Sequence, residues 1–142
     1  MMRCFSGVLL GLIAASCSIP VNRQSAESIP TELAVSKLAE MLPKSSYVKW
    51  LEPGVLIDQS EITGWSVTKE LVEFSSRRND PFRLSWSVSR GAELVKFPFR
   101  YELRVYAAVP GNARKNVVIF NWKDEAEARR AAELFESLRG DR

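Results

Sequence analysis

The sequence predicts an α+β fold: an antiparallel β-sheet covered by a C-terminal amphipathic helix, with a short N-terminal helix beside it. Three observations predict it. Phe82, Leu84, Trp86 and Val88 alternate with Arg83, Ser85, Ser87 and Ser89, the period of a strand with one dry face. Phe97, Phe99, Tyr101, Leu103, Val105 and Ala107 form a second such set, with Arg100, Glu102 and Arg104 opposite. Near the end, Ala128, Ala131, Ala132, Phe135 and Leu138 recur at helical spacing, and such a stripe needs a sheet face to bury it.

The chain opens on Met1-Met2-Arg3-Cys4, a short basic start, followed by an apolar run over residues 5–15 (FSGVLLGLIAA). That is the layout of a signal peptide. The run is far shorter than the roughly 20 residues a bilayer-spanning helix needs. Ala14, Ala15 and Ser16 then lead to Cys17, and the order LIAASC resembles the lipobox of bacterial lipoproteins. The resemblance implies a diacylglycerol on the Cys17 thiol, cleavage just before it by signal peptidase II, and acylation of the new N-terminus. Ala14 departs from the Leu, Val or Ile usual there. Cleavage by the ordinary signal peptidase also suits Ala14 and Ser16 and gives a soluble periplasmic or secreted protein. Cys4 leaves with the signal in either case, so Cys17 becomes an odd thiol in an oxidising compartment, which lipidation removes. Ser18 after the cysteine resembles the outer-membrane sorting pattern of Gram-negative lipoproteins.

Residues 18–30 (SIPVNRQSAESIP) are polar and lack periodicity, so they read as a flexible tether with a reach of about 20 Å. Thr31 is the expected cap of a short helix, with Ala34, Val35, Leu38, Met41 and Leu42 on one face until Pro43. Short strands follow at Tyr47 to Leu51, Val55 to Ile57, Gly64 to Thr68, and around Val72 and Phe74. The strand from Phe82 is expected to end at Arg90-Gly91, and the strand from Phe97 to run unbroken to Ala107 as its antiparallel neighbour. Pro110-Gly111-Asn112 marks a turn before an apolar strand from Asn116 to Trp122. Asp124, with Glu127 three residues on, caps the terminal helix, and Gly140 closes it. The chain thus divides into a signal peptide (1–16), a lipid-anchored tether (17–30) and a single α+β domain (31–142).

From Val55 to Leu138 the element order resembles the PH-like or GRAM-like fold, on the residues WSVTKELVEFSS, FRLSW and VVIFNWKDEAEARRAAELF. The resemblance implies a bent antiparallel sheet with a C-terminal helix over one open end. It carries no functional residue across, and the helix at Thr31 lies outside it. A simple sheet-and-helix sandwich is the alternative.

The chain has no histidine, which removes the commonest general base and metal ligand, and a formal charge of +3 in 142 residues is far from that of a dedicated nucleic-acid binder. Two S-x-x-K spacings, Ser46 to Lys49 and Ser66 to Lys69, fall on expected strands without the partner motifs of penicillin-binding enzymes. Glu125, Glu127, Glu133 and Glu136 read as a solvated helix face. We therefore expect no catalytic residues, no cofactor, no metal and no nucleic-acid partner. The chemical asymmetry lies between Arg77 and Lys115, where nine basic residues face Asp80, Glu93 and Glu102. Arg83, Arg100 and Arg104 fall on the polar side of two strands expected to be neighbours, where guanidinium groups suit an anionic lipid headgroup, glycan phosphate or acidic protein. The competing reading is a solubilising face of Arg–Glu pairs. Trp86 and Trp122 read as core, leaving Trp50 and Trp65 as candidate surface residues. The expectation is a non-catalytic envelope lipoprotein facing the periplasm, held by N-terminal acyl chains, that binds or scaffolds another envelope component. The alternative is a lipid or small-ligand carrier, or an accessory subunit of an envelope enzyme.

Overall fold

The computed structural model describes residues 3–5, 16–52 and 54–141; residues 6–15, which hold most of the run expected as a signal peptide, lie outside them. The strands are β1 (Arg3–Phe5), β2 (Ser16–Ile19), β3 (Tyr47–Trp50), β4 (Val55–Asp58), β5 (Ile62–Val67), β6 (Leu71–Ser76), β7 (Phe82–Ser85), β8 (Ser89–Phe97), β9 (Arg100–Val109) and β10 (Asn112–Trp122). The helices are α1 (Arg23–Glu27), α2 (Thr31–Met41) and α3 (Glu125–Ser137). A seven-stranded sheet has the order β1-β2-β8-β9-β10-β3-β4, and β5-β6-β7 form a three-stranded sheet. Every pairing is antiparallel. The fold is thus α+β with a C-terminal helix.

Register explains the core. Ile19, Leu94, Leu103, Phe120, Val48 and Ile57 are cross-strand partners in one row over six strands. None is more than 2% exposed. The apolar stripe of α3 lies over β8, β9 and β10. Phe135 is its largest anchor, stacked on Phe120 with centroids 5.6 Å apart and edge-on to Trp86 at 5.8 Å. Burying such a ring contributes about 1.5–3 kcal/mol. The helix starts where the sequence predicts, because Asp124 Oδ2 accepts a hydrogen bond from the Glu127 amide at 2.9 Å.

An aromatic cluster joins the two sheets. Phe74 stacks on Phe82 at 4.9 Å, Trp50 meets Phe82 edge-on at 5.5 Å, and Trp65 lies 6.1 Å from Phe120. The Trp65 indole also donates to Gln59 Oε1 at 3.0 Å. Trp50 and Trp65 therefore belong to the packing between the sheets and are corrected from candidate surface residues.

Three local expectations change. The strand from Phe82 breaks after Ser85 into a 3₁₀ turn over Trp86–Val88, and Arg90-Gly91, expected as its end, lies inside β8. The run from Phe97 to Ala107 is two strands, because Pro98-Phe99 forms a tight turn with Phe97 opposite Arg100. Residues 17–30, expected as a tether, hold β2 and α1 instead: Ile19 is buried opposite Leu94, and Ala26 is buried where α1 meets α3. Two buried apolar side chains without periodicity are enough to dock this segment and too few to show in the pattern. Helix α2 begins at Thr31 with Pro30 in the cap position and no side-chain cap bond, so Thr31 is its first residue and not its cap.

Candidate functional site

The basic face expected from alternation does not assemble. Arg83 lies on β7 in the small sheet and Arg104 on β9 in the large one, so they are not on neighbouring strands. Arg83 is ion-paired with Glu73, its cross-strand partner on β6. Arg100 and Arg104 share Glu102, each at 3.4 Å. The geometry of all three is that of Arg–Glu pairing on a sheet face.

A different arginine cluster forms at the end of β8 that carries Arg90. Strand β2 pairs with β8 only at Leu94, Val95 and Lys96, then leaves through Pro20, so no strand pairs with the edge of β8 below Leu94. A groove of about 420 Å³ opens there, lined by Arg23, Arg90, Arg114 and Arg139 together with Glu93 and Glu136. A smaller cavity of about 200 Å³ shares Arg23, Glu136 and Arg139 with it and runs along α1. Each arginine is held by a different element. Arg23 opens α1, which Asn22 caps by accepting from the Ser25 amide at 3.0 Å. Arg90 donates to the carbonyls of Ser87 and Ser89 at 3.1 and 3.0 Å. Arg114, on β10, lies 3.7 Å from the centroid of the Tyr106 ring. Arg139, just past α3, pairs with Glu136 at 3.1 Å and with Asp141, Nη2 to Oδ2, at 2.7 Å.

Both glutamates are already occupied. Glu93 accepts from Ser18 Oγ at 3.1 Å and from the Tyr106 hydroxyl at 2.9 Å. Burial and the Glu93 contact raise the Tyr106 phenol above its ordinary pKa, so it stays a donor. Glu136 accepts from the Ala92 amide at 2.9 Å, and the residue is only 6% exposed. It is corrected from the solvated helix face. The bulge between Ser89 and Ala92 leaves that amide without a ladder partner, and a buried carboxylate satisfies it. Hydrogen bonds from Arg139 hold the Asp141 carboxyl down to about 2. Arg23, Arg90 and Arg114 form no ion pair among the described residues. The groove thus offers guanidinium groups outside any direct ion pair, Arg90 acting on the Asp141 carboxyl only at longer range, and guanidinium groups so placed suit phosphate or carboxylate oxygens bidentately. Arg90 and Arg114 belong to the basic segment visible in the sequence. Arg23 and Arg139 do not, and only the docking of α1 and α3 brings them in.

An apolar crevice of about 240 Å³ lies elsewhere, lined by Trp50, Phe82, Leu84, Ala107 and Val117. Ligand pockets span about 300–1,000 Å³, so it falls below the size a carrier uses.

Cys17 sits on β2, opposite Cys4 on β1 and Lys96 on β8. It is disulfide-bonded. One sulfur cannot hold both a disulfide and a thioether-linked lipid. Among the described residues, no helix is long and apolar enough to cross a membrane, and no group of three or more His, Cys, Asp or Glu is placed to hold a metal ion. Compared with family models, characterised proteins and solved structures, the chain matches none.

Proposed function

We propose that this protein is a non-catalytic module of the bacterial cell envelope, exported by its signal peptide, anchored through Cys17, and binding an anionic group of another envelope component in the arginine groove. The observation that carries the binding role is the set of Arg23, Arg90 and Arg114 around one groove without an ion pair among the described residues. The PH-like resemblance belongs to this proposal; two antiparallel sheets followed by a closing helix favour it.

Pull-down and crosslinking from intact envelopes test the reading. Changing Arg23 and Arg114 together to Glu reverses two charges on exposed elements without touching the buried row. Recovery of the partner should fall at least 10-fold, and raising salt should mimic the change, because exposed charges are screened within about 8 Å at physiological ionic strength. Undiminished recovery from the double variant at low salt would remove the groove as the binding site.

A further inference from the structure

The other end of β8 carries a feature that the groove does not use. The β8–β9 hairpin turns through Pro98 and Phe99. Proline followed by a residue of positive φ is the pattern of a type II turn, whose second position favours glycine or asparagine. Here that position is Phe99, with φ of 68°, and its ring is 97% exposed. A bulky side chain in left-handed backbone is an outlier, and full exposure of a phenylalanine adds a second unfavourable feature at the same residue. Among the described residues, no contact compensates either. The flanks are basic: Arg100 stacks 4.5 Å from the Phe97 centroid, and Lys96 lies 6.0 Å from that of Tyr101.

Register places this tip beside the anchor. Cys17 is the cross-strand partner of Lys96, and β2 is antiparallel to β8. Its N-terminal direction therefore points toward the tip. Lys96 and Phe99 are separated by about 10 Å of extended chain at most. Because β2 is part of the sheet, no slack tether lies between the anchor and the domain. Acyl chains on Cys17 enter the bilayer at the end of the sheet where Phe99 projects.

We propose that the β8–β9 tip is a membrane-docking element, in which Phe99 inserts into the headgroup–acyl boundary of an anionic phospholipid leaflet and Lys96 faces its phosphates, while Arg100 stays on Glu102. An apolar side chain flanked by cations is the composition of an interfacial anchor, and it adds a second, orienting contact to the lipid. This inference rests on anchoring through Cys17.

The test uses exported, processed protein reconstituted into vesicles containing phosphatidylglycerol. In that chain Cys4 is gone and the Cys17 thiol is acylated, so Phe99→Cys offers a single thiol for an environment-sensitive fluorophore. Lys69→Cys is the control: its turn contacts Trp86, next to the far end of β8. A nitroxide on the lipid acyl chains should quench the label at 99 several-fold more than the label at 69. In the otherwise unaltered protein, the amides of Phe97, Phe99 and Arg100 should gain hydrogen-exchange protection on reconstitution, and Phe99→Asp should abolish the gain. Equal quenching at both positions, or no protection at the tip, would overturn the docking while incorporated fatty acid keeps the anchor standing. A processed chain without fatty acid on Cys17 overturns the anchor and this orientation together.

Discussion

Strand β8 has left-handed backbone near each end, and the two ends treat it differently. At the groove end the residue is Gly91, with φ of 89°, for which the conformation has little steric cost. The bulge there is braced from outside the strand: Glu136 accepts from Ala92, and Gly140 donates to the Ser89 carbonyl at 2.9 Å. At the tip end the residue is Phe99, where the conformation costs about 1–2 kcal/mol and no neighbour among the described residues repays it. One irregularity is built into the core, and the other is left facing solvent. Backbone strain that the fold compensates is part of its architecture, whereas strain it leaves uncompensated points outward, to whatever the tip meets.

The largest effect is expected where the brace of the groove end is rooted, in α3. Phe135→Ala, one residue before Glu136, should destabilise the domain by about 3–5 kcal/mol, read from the denaturant midpoint, because the ring is fully buried between Phe120 and Trp86. An unchanged midpoint would mean that α3 does not dock on the sheet through this side chain. Gly91→Ala should follow with a loss of about 2–4 kcal/mol. A Cβ there would stand 2.3 Å from Glu136 Oε1 in left-handed backbone, so the carboxylate must move and the Ala92 amide loses its acceptor. A loss below about 1 kcal/mol, well under those combined costs, would show that the bulge is not braced as described.

These sites mark where the sequence was legible and where it was not. The terminal helix could be read because its cap, its alanines and Phe135 agree at every level. Strand β8 was missed because its two punctuation marks are reversed: Gly91, a stop signal by composition, lies inside the strand, and the turn that ends the strand contains no glycine. The alternation of Phe97, Phe99 and Tyr101 therefore continued through a chain reversal. Glu136 was misread because it flanks the apolar stripe beside Phe135, and only the bulge of a distant strand gives it a buried partner. The arginine groove was half visible. Arg90 and Arg114 stood in a basic segment, but Arg23 and Arg139 join them only through the docking of short α1 and the end of α3.

The smallest effect is expected at the tip, and it has the opposite sign. Asparagine tolerates left-handed backbone better than any bulky apolar residue and avoids the entropy that glycine costs in the unfolded chain. Phe99→Asn should therefore stabilise the domain, by about 0.5–1 kcal/mol, a melting temperature roughly 2–4 °C higher. Since the ring is 97% exposed, no core contact is lost to offset this gain. The same variant should lose the tip's protection on anionic vesicles. Stability rising while docking falls is what a side chain retained for an outside surface predicts, since the fold alone would favour its replacement. A variant less stable than the parent would show that Phe99 packs against something within the chain, and the difference between the two ends of β8 would then be one of degree only.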